Sequence, residues 1–352
     1  MVLRVGTDVH LRTKNLASSR HVRVNNAGYK SLICGRLRTK STSLSLWGPV
    51  FRFDSPYAGS ETGHKIGGAM TTDVRTFGPR ESGAETMLES GDVLWLRESF
   101  FAVEVAERAL LTPSILAGAS KNVSFDPSTG RVGGAAASGE SAERLRGMLA
   151  RYSRDAEAFV RRACPSYADH LRLGRTSFRP VEIAGRESSW RKDDTRLHVD
   201  SFPATPVQGR RILRVFANVN PQGKPRSWRV GEAFDALAAR FAPALRPPIP
   251  GAAALLHVLH LTKARRSLYD AFMLQLHDRM KEDTAYQASA PQMPFDFPPG
   301  TAWMAFTDQV SHAAMSGQYQ FEQTFLLPVS AMLDEQRSPL RVLERLKGRP
   351  LI

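Results

Sequence analysis

A histidine and an aspartate separated by one residue, His198-Val199-Asp200, form the pattern in this chain that points most directly to chemistry. In a β-strand, residues i and i+2 project from the same face, so the imidazole and the carboxylate would lie side by side. A second histidine from another strand would complete the set that holds non-haem Fe(II) and leaves positions open for 2-oxoglutarate and O2. Alone, the pattern is weak, because such a pair also makes ordinary hydrogen bonds in many proteins.

His312 is the histidine best placed to complete this set. It ends an apolar segment and precedes Gly317, after which a second alternating segment begins. The order strand, histidine, glycine turn and strand is what the second half of a double-stranded β-helix requires. The competing histidines fit less well, since His257 and His260 precede a helix without the glutamate of a zinc motif, and His277 lies within a predicted helix.

A cation is also needed for the distal carboxylate of 2-oxoglutarate. Many dioxygenases place an arginine on the last strand, but residues 317–328 contain no Arg or Lys. Arg214 is the alternative, because it alternates with Phe216 and Asn218 on one face of a predicted apolar strand. Its guanidinium could grip a carboxylate through two parallel hydrogen bonds. An arginine in a surface ion pair is the competing interpretation.

The segments that would position these residues are mostly short strands separated by Gly, Ser and Pro. Strands are predicted at residues 92–96, 121–126, 130–134, 176–183, 195–202, 211–220, 293–297, 301–313 and 318–328. Helices are predicted at residues 138–163, 232–241, 263–286 and 339–347. Strands interrupted by a helical insertion predict an α+β fold with a double-stranded β-helix (jelly-roll, cupin-like) core and flanking helices.

Composition and charge exclude several classes of protein. The two cysteines among 352 residues cannot build a disulfide framework or a cysteine-rich zinc site. No apolar run approaches the length of a membrane-spanning helix. The net charge of +14 favours an anionic partner. Nucleic acid is not expected, because no zinc finger, ribonucleoprotein motif or long basic helix is present. An anionic membrane face or an anionic substrate remains.

The N-terminal residues 1–86 differ from the rest of the chain. They are rich in Ser, Thr, Gly, Asn and Arg, and residues 1–69 hold eleven Lys or Arg against three acids. Such a segment buries too little apolar surface to offset its ordering entropy. We therefore expect a disordered basic extension, or a start site placed too early, with Met70 or Met87 as the true start. Residues 87–352 are predicted to form the dioxygenase domain.

Six stretches, in order along the chain, resemble the Kdo hydroxylase family, and the resemblance as a whole runs from about Leu88 to the C-terminus. Kdo is 3-deoxy-D-manno-oct-2-ulosonic acid, an inner-core sugar of bacterial lipopolysaccharide. The stretches are Gly209–Pro221, Gly223–Glu232, Thr262–Asp270, Leu276–Lys281, Phe297–Gly300 and Phe306–His312. The resemblance implies that His198, Asp200 and His312 are the iron ligands. It also implies four residues around the cosubstrate and the anionic sugar: Arg179, Arg214, Arg226 and Trp228.

The resemblance also implies an activity and a location. The expected reaction is hydroxylation of C3 of the outer Kdo of Kdo2-lipid A, with Fe(II), 2-oxoglutarate and O2, in lipopolysaccharide biosynthesis. A cytoplasmic enzyme, peripheral on the inner face of the cytoplasmic membrane of a Gram-negative bacterium, is expected. Lys263, Arg265 and Arg266 would suit such a surface, or are simply a solvated helix face.

Two other functions compete with this one. One is a 2-oxoglutarate-dependent hydroxylase of another anionic small molecule. The other is a non-enzymatic, cupin-like sugar-binding module that keeps a vestigial metal site. Within the expected function, Arg179 and Arg226 would contact anionic groups, while Trp228 would either stack on the sugar ring or serve as a structural aromatic.

Overall fold

The N-terminal boundary of the fold lies in the first residues that the computed structural model describes. It describes residues 72–78 and 80–352, all within the compact unit Glu61–Ile352. Most of the predicted extension, residues 1–71, lies outside the described residues. Strand β1 (Val74–Thr76) nevertheless pairs in parallel with β2 (Val93–Leu96), and Phe77 is buried. An ordered strand therefore precedes the boundary that we predicted at residue 87.

The described residues form short strands with helices between and around them. The remaining strands are β3 (Val123–Asp126), β4 (Arg131–Gly133), β5 (Arg172–Arg179), β6 (Arg211–Asn218), β7 (Arg226–Val230), β8 (Met293–Phe297), β9 (Ala302–Phe306), β10 (His312–Ser316) and β11 (Gln320–Leu327). The helices are α1 (Glu85–Glu89), α2 (Gly139–Ala163), α3 (Phe234–Phe241), α4 (Ala252–Val258), α5 (Leu268–Glu282), α6 (Thr284–Ser289) and α7 (Pro339–Lys347). Among these helices, none is long and apolar enough to cross a lipid bilayer.

The strands build two facing sheets. The larger has eight strands in the order β1-β2-β9-β6-β11-β5-β3-β4, and the smaller has three in the order β10-β7-β8. An antiparallel bridge between His198 and His312 adds the His198 segment beside β10. From β5 onward the chain places β5, β6, β9 and β11 in the larger sheet and the His198 segment, β7, β8 and β10 in the smaller. This arrangement is a jelly roll, and it confirms the predicted double-stranded β-helix core.

Successive side chains of β11 point to opposite sides of the larger sheet, one side facing the hydrophobic core and the other the functional site. Phe321 stacks on Phe178 at 4.7 Å between ring centroids and lies 4.9 Å from Tyr152 of α2. The next residue, Glu322, projects to the opposite side, into the space between the two sheets. Tyr152 donates a hydrogen bond of 3.0 Å to the Val215 carbonyl, which fastens α2 to the larger sheet. Each fully buried ring contributes about 2–3 kcal/mol to stability.

Two predicted strands differ most from the structure. The strand predicted at residues 195–202 is a loop whose one β-bridge joins His198 to His312. The Asp193 side chain accepts hydrogen bonds from the backbone N–H and the hydroxyl of Thr195, and these local bonds compete with sheet pairing. The strand predicted at residues 301–313 divides into β9 and β10. Its centre turns, since Gln309 and Val310 both donate backbone hydrogen bonds to the Phe306 carbonyl.

The long helix predicted at residues 263–286 is also divided. Helix α5 begins only at Leu268, where Ser267 and Asp270 form a capping box. It ends at Glu282, and Asp283 caps the separate helix α6 by accepting a hydrogen bond from the Tyr286 backbone. Strand β7 was not predicted as a strand. The predicted hairpin of β3 and β4, strand β8 and helix α7 are confirmed.

A buried ion pair fixes the turn that leads into β10. Arg211 Nε lies 2.8 Å from Asp308 Oδ2, and both side chains are almost fully buried. We expect Asp308→Ala to lower the free energy of unfolding by about 3–5 kcal/mol, because it leaves a buried guanidinium unpaired. Urea denaturation would measure this loss. The double variant Arg211→Met/Asp308→Leu should recover most of it, and a double variant as unstable as Asp308→Ala would show that the unpaired charge is not the cause.

Candidate active site

A cavity of about 280 Å³ lies between the two sheets, beside helix α5. Its wall is unusually rich in charge and more cationic than anionic, which favours an anionic ligand. The cationic side chains are Arg179, Arg191, Arg214, Arg226 and Lys281, and the carboxylates are Asp194, Asp200 and Glu322.

The predicted triad comes together in this cavity. Single ligand atoms of His198, Asp200 and His312 all lie within 4.8 Å of one another. Two backbone hydrogen bonds of 3.0 and 2.9 Å join His198 to His312, and the Asp200 amide donates to the Thr307 carbonyl at 2.8 Å. The backbone therefore holds the three side chains in place, although the segment around His198 is not a full strand.

Both imidazoles are oriented in the same way. Nδ1 of His198 lies 2.8 Å from the Arg196 carbonyl oxygen, and Nδ1 of His312 lies 2.8 Å from that of Val310. A carbonyl oxygen only accepts, so Nδ1 carries the proton and the Nε2 lone pair remains available to a metal. Asp200 Oδ2 is buried without a hydrogen-bond partner among the described residues. Two Nε2 atoms and one carboxylate fit the facial donor set of non-haem iron.

The protonation states also suit a metal. Burial, reinforced by His312 and Lys281, lowers the pKa of His198 well below its ordinary value. Burial lowers the pKa of His312 as well. For Asp200, burial acts to raise the pKa, but the charge of the Arg214 guanidinium opposes it, and that pKa lies below its ordinary value. Neutral imidazoles and a charged carboxylate are the forms that bind a metal ion.

Two arginines flank Glu322 on the larger sheet. Arg214 Nη1 lies 3.3 Å from Asp200 Oδ2 and 3.2 Å from Glu322 Oε1. Arg179 Nη2 lies 3.3 Å from the other oxygen of Glu322. The Nε atoms of both arginines are buried without a hydrogen-bond partner among the described residues. Each guanidinium therefore keeps a donor available to a ligand, and Arg214 is the one that contacts the triad.

Arg226 is a buried cation of a different kind. Its Nη1 donates a hydrogen bond of 2.7 Å to the Gly317 carbonyl, and its Nε has no partner in the described part of the chain. No carboxylate among the described residues forms an ion pair with it. Burial, followed by the charge of Arg179, lowers the pKa of Arg226, although it stays protonated near neutral pH. An incoming anion would stabilise this charge.

Trp228 supports the triad by packing. Its ring stacks on His312 at 4.9 Å with an interplanar angle of 20°, and its edges meet Phe216, Phe297 and Trp303. The indole is almost fully buried, so its contacts favour the structural interpretation over stacking on a sugar. Its Nε1 has no hydrogen-bond partner among the described residues and remains a donor for a ligand.

Several residues of the cavity were not found from the sequence. Glu322 follows Phe321 on β11, but the polar residues Gln323 and Thr324 come next, so no apolar pattern marks it. Lys281 is 2% exposed and donates a 3.3 Å hydrogen bond to the Arg191 carbonyl. Burial lowers the pKa of Lys281. His277 lies 5.4 Å from the His198 ring, but only the packing of α5 reveals this proximity.

Gly317 holds the turn that carries Arg226's hydrogen bond. Its φ is +107°, and a Cβ there would lie 2.9 Å from the Pro225 carbonyl oxygen. We expect Gly317→Ala to cost about 1–3 kcal/mol of stability by strain and to displace Arg226. Thermal unfolding would measure this cost. Gly223→Ala is the matched control, because Gly223 has φ +76° but open space around it, and equal losses would exclude the steric explanation.

Several known proteins are similar to this chain. The family described as 3-deoxy-D-manno-oct-2-ulosonic acid (Kdo) hydroxylase matches residues 75–350. The Kdo hydroxylase KdoO, described as a non-heme Fe(II) alphaketoglutarate dependent dioxygenase and solved with cobalt(II), is 45% identical with a TM-score of 0.77, over 79% of this chain and 97% of that chain. The same enzyme with alphaketoglutarate and Fe(III) is 44% identical with a TM-score of 0.77, over 80% and 98%.

A third structure, KdoO with succinate and Fe(III), is 45% identical with a TM-score of 0.76, over 79% of this chain and 97% of that chain. A comparison with curated protein sequences found no match. The family match spans more than half of the chain, and the solved structures are covered almost completely. The chain therefore belongs to the Kdo hydroxylase family.

Proposed function

We propose that this protein is an Fe(II)/2-oxoglutarate-dependent dioxygenase that hydroxylates C3 of the outer Kdo of Kdo2-lipid A in lipopolysaccharide biosynthesis. The observation that carries the proposal is the buried set of His198, Asp200 and His312 in a cation-rich cavity. Family membership supports it, as do the complexes of the similar KdoO with alphaketoglutarate and with succinate.

The triad would hold the iron. Nε2 of His198, Nε2 of His312 and a carboxylate oxygen of Asp200 would be its three protein ligands, since the Nδ1 atoms are already bonded to carbonyl oxygens. When bound, Fe(II) supplies the activation of O2 that no side chain provides, coupled to the oxidative decarboxylation of 2-oxoglutarate to succinate and CO2. The chain itself contributes orientation, charge and exclusion of water.

We assign the distal carboxylate of 2-oxoglutarate to Arg214. This guanidinium is the one that reaches the triad, at 3.3 Å from Asp200, and its buried Nε is available as a donor. A cosubstrate that chelates iron through its other end would place its far carboxylate within reach of such a cation. The incoming carboxylate would share Arg214 with Glu322, which Arg179 also neutralises.

Arg179, Arg226 and Trp228 are then available to the anionic sugar. Arg226 offers a buried charge without a carboxylate partner among the described residues, which a sugar carboxylate would satisfy. Trp228 contributes its indole N–H and keeps His312 oriented. The excess of cations around the cavity matches a substrate that combines a Kdo carboxylate with lipid A phosphates. We place the enzyme peripherally on the inner face of the cytoplasmic membrane.

The test is a turnover assay with purified protein, Fe(II), 2-oxoglutarate and Kdo2-lipid A. We expect the lipid to gain one oxygen atom and succinate to form in equal amount. Succinate release that depends on a different anionic acceptor, with the lipid unchanged, would favour a hydroxylase of another small molecule. Sugar binding that is insensitive to His198→Ala, with no 2-oxoglutarate consumed, would identify a binding module and contradict the proposal.

A further inference from the structure

The surface around helix α4 exposes a cluster of large apolar side chains. Ten large hydrophobic side chains are exposed among the described residues, and five of them lie in the thirteen residues 249–261. Helix α4 buries none of its own residues, so this segment does not serve the core. The exposed fractions range from 56% to 80%, for Ile249, Leu255, Val258, Leu259 and Leu261. Exposed aliphatic side chains this close together in the chain are typical of an interaction surface.

The charges around this segment have one sign. No Asp or Glu occurs between Asp235 and Asp270. Arg246 precedes the apolar residues, and Lys263 and Arg265 follow them, all three exposed. An apolar segment whose nearest charged residues in the sequence are cations complements a surface that is apolar inside and anionic at its rim, as an anionic lipid bilayer is. A partner protein with acidic residues would match the cations but would not require so many protruding aliphatic side chains.

The segment is fastened to the rim of the active site. The Lys263 amide donates a 2.9 Å hydrogen bond to the Ala204 carbonyl, and Arg266 donates one of 2.5 Å to the Pro203 carbonyl. Pro203 lines the cavity and lies three residues after Asp200. A surface bound by residues 246–266 would therefore be held close to the Pro203 side of the cavity.

We propose that residues 246–266 form a membrane-docking element. Ile249 and the exposed aliphatic residues of α4 insert at the boundary of the acyl chains, while Arg246, Lys263 and Arg265 contact lipid phosphates. The element places the cavity at the bilayer surface, where the headgroup sugar of a lipid substrate lies. Only this last point, the identity of the substrate, rests on the function proposed above.

Binding of the full-length chain to vesicles tests the element without any substrate or cofactor. Vesicles of phosphatidylglycerol and phosphatidylethanolamine would be compared with pure phosphatidylcholine in a flotation assay. We expect binding to the anionic vesicles only. The variant Ile249→Ser/Leu255→Ser/Val258→Ser should bind at least about tenfold more weakly. The variant Lys263→Glu/Arg265→Glu should lose binding to the anionic vesicles, and high salt should weaken the binding of the wild type in the same way. The control Val105→Ser/Leu333→Ser alters equally exposed apolar residues elsewhere and should bind normally.

The outcomes separate the alternatives. Unchanged vesicle binding in the patch variants would overturn the inference and would leave another basic part of the chain as the contact. A second outcome is that the wild type self-associates without binding vesicles and that the serine variant abolishes this self-association. This result would show that the apolar residues join two copies of the chain, and it would also overturn the membrane-docking inference. For turnover, the serine variant should lose activity on vesicle-embedded lipid but keep it on a de-acylated Kdo oligosaccharide. Vesicle binding without any turnover would support the docking element and contradict only the proposed reaction.

Discussion

Replacing His312 with alanine is expected to lower turnover by at least about a thousandfold and to remove the bound metal. His312 supplies one of three ligand atoms within 4.8 Å of one another, and no other described residue belongs to that group. Two remaining ligands would bind Fe(II) weakly and would leave it wrongly oriented toward the cosubstrate. Metal content per chain, measured by elemental analysis, would be compared with the rate of succinate formation.

His277→Ala is the matched control for this experiment. His277 lines the same cavity and lies 5.4 Å from the His198 ring, but it is not one of the three grouped ligands. We expect this variant to keep one metal ion per chain, whatever its effect on substrate binding. A His312→Ala protein with full metal content, or a His277→Ala protein without metal, would refute the assigned triad. Circular dichroism would verify that both variants fold, since His312 stacks on Trp228.

Replacing Arg214 with methionine is expected to raise the KM for 2-oxoglutarate by about 30- to 150-fold, which corresponds to the loss of about 2–3 kcal/mol of charge-assisted hydrogen bonding. Methionine keeps the aliphatic length but cannot hold a carboxylate. Lysine restores the charge without the two-pronged geometry, so Arg214→Lys should recover only part of the affinity. Steady-state kinetics with varied 2-oxoglutarate would measure both variants.

Arg226→Met serves as the comparison. If Arg226 faces the sugar, this variant should raise the KM for the lipid more than that for 2-oxoglutarate. The opposite pattern, with the cosubstrate KM raised by Arg226→Met and unchanged by Arg214→Met, would contradict our assignment of the two arginines. Metal content must be measured in Arg214→Met, because Arg214 lies 3.3 Å from Asp200 and its loss also raises the pKa of that carboxyl.

The elements that sequence periodicity could predict are those stabilised by local patterns. Helix α2 has one continuous apolar face, and α7 and β8 are bounded by clear start and stop residues, so all three were predicted within a residue or two. The segment around His198 was predicted as a strand because its residue types favour one. Local hydrogen bonds that Thr195 donates to the Asp193 carboxylate prevail there, and a single bridge to β10 remains.

The residues of the site divide in a similar way. The triad could be predicted because His198 and Asp200 are two residues apart and because a glycine turn follows His312. Glu322 and Lys281 could not, since their place in the cavity depends on how β11 and α5 pack against distant strands. Both residues have polar or charged neighbours in the sequence, so nothing there indicates that they are buried, and only the tertiary structure shows what they face. The sequence likewise could not show that the apolar residues of α4 are exposed, because their exposure depends on the packing of the whole fold.

Turnover under heavy-isotope O2 would show whether this protein transfers an oxygen atom from O2 to the outer Kdo. The purified protein would be incubated with Fe(II), 2-oxoglutarate and Kdo2-lipid A under labelled gas, and the lipid would be fragmented in the mass spectrometer. We expect one labelled oxygen atom in the outer Kdo, one succinate for each oxygen gained, and neither in the His312→Ala protein. An unlabelled or unmodified Kdo, or labelled product formed equally well by His312→Ala, would contradict an iron-dependent Kdo hydroxylase built on His198, Asp200 and His312.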